Sequence, residues 1–231
     1  MIERYASILK EIQEATTQAG REPGSVKLIA VSKTHPYSSI RELYDAGQRD
    51  FGENYVQELI EKAEQAIADG LTAIRWHFIG HLQTNKVKSL LPFVHTIHGV
   101  GTLRLAQEID KRADKKQIVP IFIEVNIDQE ESKSGVRAED LRTLAEAINS
   151  LDHLALHGLM CIPNPERTGG ARAAFHETAQ LESDLSPLSL GALSMGMTSD
   201  FKDAIAEGAT YVRVGTALFG ERPTHSAPTS D

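Results

Sequence analysis

Apolar residues recur along the chain in two alternating rhythms. The first twenty residues, MIERYASILKEIQEATTQAG, place Ile2, Tyr5, Ile8, Leu9 and Ile12 at 3.6-residue spacing and end on Gly20. That pattern predicts an amphipathic helix with a glycine stop. Eight β-like runs follow: VKLIAVSK (26–33), QRDFGE (48–53), RWHFIG (75–80), VHTIHGV (94–100), VPIFIEVNI (119–127), ALHGLMCI (155–162), LSLGALSMG (188–196) and TYVRVGTALFG (210–220). Helical periodicity lies between them at 39–46, 55–68, 102–113, 138–149, 170–185 and 199–206, with Gly47, Gly70 and Gly208 at junctions.

Strands that alternate with helices, without a composition break to mark a linker, imply a parallel sheet with helices outside it. Eight is the number that closes a barrel. The expected fold is therefore α/β, a single (β/α)8 TIM barrel with an extra N-terminal helix. It spans residues 1–222 as one domain, and RPTHSAPTSD ends the chain with a disordered tail over 223–231. A doubly wound open sheet is the alternative.

Composition narrows the function classes. The chain has 231 residues, 41% hydrophobic and 24% charged, with a formal net charge of −8. Its densest basic cluster is Lys111-Arg112 with Lys115-Lys116, so no basic stripe offers itself to nucleic acid or an anionic membrane. No apolar run approaches the roughly 18 residues of a membrane span, and no leader-like apolar segment opens the chain. The single cysteine, Cys161, excludes an intramolecular disulfide and fits a reducing cytoplasm.

In barrels of this kind the site lies at the C-terminal ends of the strands. The residues placed there are Lys33, Glu53, Asn54, His77, Asn126, Met160, Ser194 to Gly196, and Arg213 to Thr216. A strand-end lysine ordinarily runs its stem out to solvent. Lys33, however, ends the most apolar run, at the rim where barrel chemistry occurs. A partly desolvated amine there loses its proton more readily and attacks a carbonyl to form a Schiff base.

The segments LSMGMTSDF and VRVGTALFG follow strands seven and eight, where barrels often bind phosphate through glycine-containing turns. Ser194, Gly196, Gly215 and Thr216 supply hydroxyls and close backbone approach; Ser199-Asp200 reads equally as the cap of the next helix. Arg213 shares a strand face with Tyr211 and Gly215. It is either a partner in an ion pair with a carboxylate of another strand or a group facing a ring nitrogen of a bound heteroaromatic. GVGTLR (99–104) starts like a dinucleotide fingerprint, but Arg104 stands where a third glycine belongs. His77, His81, His95 and His98 lack the carboxylate or cysteine partners of a metal motif, so no metal is expected.

Taken together, these segments resemble the YggS/PROSC family, the pyridoxal phosphate homeostasis proteins. The resemblance runs through LIAVSKTHP, DFGENYVQE, WHFIGHLQTNK, ESKSG, HGLMCIP, LSMGMTSDF and YVRVGTALFG, seven motifs in order along nearly the whole chain. Thr198 stands where the family's methionine–glycine–methionine turn would carry serine, which keeps the hydroxyl. The resemblance implies a barrel like the N-terminal domain of alanine racemase, with pyridoxal 5'-phosphate as cofactor, bound to Lys33 as a Schiff base. It further implies phosphate contacts from Ser194, Gly196, Gly215 and Thr216, and Arg213 toward the pyridine nitrogen. Asn54, His77 and Met160 would be pocket neighbours. Lys133, in ESKSG, belongs to a motif whose role stays open.

Two function classes follow from the resemblance. One is a carrier that buffers pyridoxal phosphate and hands it to apo-enzymes, in vitamin B6 homeostasis. The other is a pyridoxal phosphate-dependent amino-acid racemase or related enzyme. Racemisation needs a base on each face of a planar carbanion, and Lys33 serves one. In alanine racemases the other base comes from a C-terminal β domain, for which the 11 residues after Gly220 are too few. No catalytic residue is assigned, and a monomer is expected, because the second domain's dimer contacts would be missing.

Overall fold

Alternation along each strand sorts the side chains into two populations, and that sorting determines where the core and the site lie. The computed structural model describes residues 1–130, 134–164 and 166–220. Eight parallel strands run in chain order: β1 (Lys27–Val31), β2 (Asp50–Glu53), β3 (Arg75–Phe78), β4 (Thr96–Val100), β5 (Val119–Glu124), β6 (Leu154–Met160), β7 (Ala192–Ser194) and β8 (Tyr211–Val214). Each pairs with the next, and β8 closes on β1 with Lys27 opposite Tyr211 and Ala30 opposite Val214. The barrel is closed.

The outer ring consists of α1 (Ile2–Gln18), α2 (Tyr37–Asp45), α3 (Val56–Ala68), α4 (Val87–Leu90), α5 (Leu103–Arg112), α6 (Leu141–Asn149), α7 (Gly170–Asp184), α8 (Phe201–Ala206) and α9 (Thr216–Phe219). The main hydrophobic core lies between this ring and the barrel. Leu28, Phe51, Phe78, Ile97 and Ile121 point outward from the strands against Ile40, Leu59, Leu90, Ile109, Ile148 and Phe175. Burying each such side chain contributes roughly 1.5–3 kcal/mol.

The barrel interior is different. Its apolar part is a small separate cluster of Ile29, Val31 and Ile79, with Tyr211 packed against it, and Phe122 stacked on His98. The remainder is largely polar and still buried, including Asp50, His77, His98, Ser194 and Arg213.

All eight expected strands form, though most are shorter than their runs. The last run is strand only to Val214, since Gly215 leaves the extended conformation and residues 216–219 turn into α9. The run at 188–196 contributes only Ala192–Ser194 to the sheet. β1 ends at Val31, which places Lys33 in the turn beyond the strand rather than on it. The four-residue α4 was not expected from the sequence, because a single turn is too short to show a period. On α1 the buried stripe is Tyr5, Ile8, Ile12, Ala15 and Thr16, while Ile2 and Leu9 are exposed. Lys133 and the tail at 223–231 lie outside the described residues.

Candidate functional site

Beyond the C-terminal ends of the strands, a cavity of about 370 Å³ opens. It is lined by Val31 and Lys33 after β1, Asn54 after β2, Ile79 after β3 and Ile162 after β6. Met197, Thr198 and Ser199 follow β7, and Arg213, Gly215 and Thr216 come from β8 and its turn. Its size falls within the about 300–1,000 Å³ range of small-molecule sites. An amine, a guanidinium, three hydroxyls and an apolar wall from Val31, Ile79 and Ile162 therefore converge on one space.

The loop that carries Lys33 is held by charge. Thr34 adopts a positive φ of 65°, unusual for a β-branched residue, and its amide donates to Glu58 Oε1 at 2.6 Å. Ser32 Oγ donates to Glu53 Oε1 at 2.7 Å. Between the two carboxylates lies Lys62, nearly inaccessible to water, whose Nζ donates to Glu53 Oε1 at 2.6 Å, Glu58 Oε1 at 2.8 Å and the Ser32 carbonyl at 2.8 Å. Burial pushes the Glu53 carboxyl up, and the Lys62 ammonium pulls it only part of the way back. Lys33 is thus flanked on both sides by residues tied to α3.

Arg213 enters the cavity from below. Its Nη1 donates to the Ser194 carbonyl at 2.6 Å and to Ser194 Oγ at 2.9 Å, and its Nη2 donates to the Cys161 carbonyl at 2.9 Å. Among the described residues it has no carboxylate partner, so of the two readings of Arg213 the ion pair is not realised. Behind it, Ser194 Oγ lies 2.8 Å from His98 Nδ1, His98 Nε2 lies 2.9 Å from His77 Nδ1, and His77 Nε2 lies 2.9 Å from Asp50 Oδ1. Asp50 is also gripped by Arg75 through two bonds, at 2.7 and 2.5 Å. Burial holds both imidazoles below the ordinary histidine range. Hydrogen bonds from Arg75 and His77 outweigh burial at Asp50, leaving its carboxyl well below the usual range.

Comparison with known proteins places this geometry in context. The alanine racemase N-terminal domain model matches residues 5–223. The pyridoxal phosphate homeostasis protein of Pseudomonas aeruginosa is 45% identical over 230 residues, covering 99% of this chain and 98% of its own. The chain belongs to the pyridoxal phosphate homeostasis protein family. The Escherichia coli K12 member is 41% identical over 223 residues, with 94% of each chain covered. Among solved structures, PipY of Synechococcus elongatus with PLP bound superposes with a TM-score of 0.81 at 36% identity, covering 95% of this chain and 99% of that one. Alanine racemase from Corynebacterium glutamicum shares the fold at a TM-score of 0.65 and 16% identity; this chain covers 63% of it.

Of the residues expected for the family's site, Lys33, Asn54, Arg213, Gly215 and Thr216 line one cavity. His77, Met160 and Ser194 are buried away from it, and Gly196 is a turn glycine with φ of 87° packed against Ala204 and Phe201. Sequence reasoning missed the Lys62 clamp and the continuity from Asp50 to Arg213. One signal for the second was available: His77, between Trp76 and Phe78, and His98, after Ile97, are polar residues within strands. Lys62 offered only its i,i+4 spacing from Glu58, which any solvated helix face can show, while its contacts with Ser32 and Glu53 depend on how α3 docks. Among the described residues, no group of three or more His, Cys, Asp or Glu is placed to hold a metal ion.

Proposed function

We propose that the chain carries pyridoxal 5'-phosphate as a Schiff base on Lys33 and acts in intracellular homeostasis of that cofactor, buffering it and delivering it to apo-enzymes. The observation that carries this reading is the shared cavity of Lys33, Arg213 and the Gly215-Thr216 turn. Lys33 would hold the aldehyde carbon through Nζ, with the aldehyde oxygen leaving as water, so attachment would need no other reactant. When bound, the cofactor supplies an electrophilic aldehyde and a conjugated ring; the chain supplies the amine and the surroundings.

The donor set fits such a group. Arg213 keeps two N–H groups without a partner among the described residues, and Asn54 Oδ1 is buried without one. Thr198, Ser199 and Thr216 offer hydroxyls where a phosphate would lie, beside the Gly215 backbone. The names of the relatives and the PLP-bound PipY structure support the same reading. Facing the ring nitrogen, Arg213 would keep that nitrogen unprotonated, which would make the ring a poorer electron sink and favour holding over carbanion chemistry.

The same reading takes residues 1–222 as one domain, a monomer in the cytoplasm. Its exposed large apolar side chains come from many separate segments, among them Ile67, Ile118 and Leu190. Cys161 is buried, with its thiol pushed up to about 11 by burial, so it is inert toward thiol exchange. No helix among the described residues is long and apolar enough to cross a membrane.

Mixing the protein with pyridoxal 5'-phosphate should give a new visible absorbance band that Lys33→Ala lacks, and the loaded protein should reactivate an apo pyridoxal phosphate enzyme. Retention of the same band in Lys33→Ala would overturn the covalent assignment. Failure to reactivate, beside a free-cofactor control that succeeds, would overturn delivery. Robust racemisation of any amino acid in a panel would overturn the carrier reading.

A further inference from the structure

The polar chain inside the barrel crosses five strands, from Asp50 on β2 to Arg213 on β8. The cavity-lining residues do not account for it, since Asp50, His77, His98 and Ser194 line no part of the cavity. Burying this much polarity is costly unless every hydrogen bond is made with the right sense. The sense can be derived from one end.

Arg213 has five N–H donors and no acceptor, and it does not lose its proton. Ser194 Oγ must therefore accept from Arg213 Nη1 at 2.9 Å. The serine's own proton is left for its remaining partner, His98 Nδ1 at 2.8 Å. With Nδ1 accepting, a neutral His98 carries its proton on Nε2 and donates to His77 Nδ1 at 2.9 Å. By the same logic His77 carries its proton on Nε2 and donates to Asp50 Oδ1 at 2.9 Å. The chain ends on a carboxylate fixed by Arg75. Every donor meets an acceptor with both imidazoles neutral.

An extra proton on either imidazole breaks this order. It puts a donor on His98 Nδ1, or on His77 Nδ1 so that His98 reverses, and the Ser194 proton then has no acceptor beside the Arg213 cation. The charged groups facing His77 act in both directions: Arg75 on β3 and Lys27 on β1 oppose a further charge on it, Asp50 on β2 favours one, and His95 just before β4 and Tyr211 on β8 pack against its ring. His98 meets Phe122 on β5, His157 on β6, and Tyr211 and Arg213 on β8.

We propose that Asp50, His77, His98 and Ser194 are positioning residues for Arg213: a one-way hydrogen-bond chain that fixes two guanidinium hydrogens against β7 and leaves the Nε and second Nη2 hydrogens for the cavity. This rests on the cofactor reading for its purpose but not for its geometry. The chain is a tautomer lock and not a proton path, because its upper end never gives up a proton.

The test uses protein with ¹⁵N-labelled histidine. Without added ligand, His77 and His98 should both show the neutral Nε2–H tautomer at pH 7 and keep it to pH 5. In Asp50→Asn, one side-chain oxygen faces the donors of Arg75 and His77, while its amide now donates. His98, whose tautomer is set from the Arg213 end, should keep Nε2–H. Ser194→Ala, with one Arg213 hydrogen left unpaired, should bind pyridoxal 5'-phosphate roughly tenfold more weakly in equilibrium dialysis. An Nδ1–H or charged imidazole at either position in the native chain at pH 7 overturns the proposal even if the variants fail to fold. So does a His98 that switches to Nδ1–H in Asp50→Asn, or unchanged affinity in Ser194→Ala. If the native chain takes up no cofactor at all, the function fails while the tautomers still report on the lock.

Discussion

Lys62 keeps its ammonium group between Glu53 and Glu58 with almost no access to water, bonded to the carbonyl of Ser32, the residue before the lysine that lines the cavity. Removing one member of a buried pair leaves the other as an uncompensated charge, at a cost of about 3–5 kcal/mol. Lys62→Met should therefore lower the stability measured by urea unfolding by about that amount, and Glu53→Gln added to it should recover part of the loss. Equal losses in the single and double variants would show that the carboxylate is not what Lys62 neutralises. At this scale the sequence revealed what its own strand ends could show. Lys33, Arg213 and Thr216 are polar residues at the end of apolar runs, and they share the cavity. Lys62 has no such mark, since on α3 it looks like one more charge on a solvated helix face.

At the scale of elements, glycines decide how closely the turns pack above the barrel. A Cβ on Gly196 would lie 2.5 Å from Ala204 Cβ and 3.0 Å from Phe201 Cα, at a φ of 87° that side chains avoid. Gly215 has a negative φ, and its nearest neighbour would be the Val31 carbonyl at 3.3 Å. Gly196→Ala should therefore lose about 1–3 kcal/mol by thermal or urea unfolding, and Gly215→Ala clearly less. The reverse order would contradict the packing of the β7 turn on α8. Element order was legible because strand and helix periods differ, and all eight strands appear in the expected sequence. Their ends were less so. The apolar run through residue 220 hides the break at Gly215, because a buried turn of helix and a buried strand are both simply apolar.

Over the whole molecule, the lumen holds titratable groups whose charge states folding fixes. His77 and His98 are depressed by burial, so the unfolded chain takes up protons below about pH 6.5 that the native barrel refuses. Their stabilisation is complete above that pH and is lost as pH falls through the folded values. Glu53, Glu124 and Glu182 are raised by burial, so their contribution runs the other way, falling as pH rises above about 4.5. Below about pH 4.5 those carboxyls are protonated in both states and no longer oppose the histidines. Asp50, held low, then adds its own loss. Stability from urea titrations should fall steeply there, by about 1.4 kcal/mol per pH unit for each proton taken up on unfolding. A flat profile between pH 4.5 and 3 would contradict neutral imidazoles in the lumen.

That interior also explains what sequence patterning alone could not give. Periodicity distinguishes the inside of a strand from its outside, but not an apolar lumen from a hydrogen-bonded one, and the chain from Asp50 to Arg213 exists only once the eight strands are closed into a ring. The cavity at its upper end is where the functional reading is decided. Reducing a mixture of the protein and pyridoxal 5'-phosphate with borohydride, followed by peptide mass mapping, reads that directly. The phosphopyridoxyl mass should fall on the peptide that contains Lys33, at one group per chain. No adduct, or an adduct spread over other lysines with Lys33 unmodified, would contradict it.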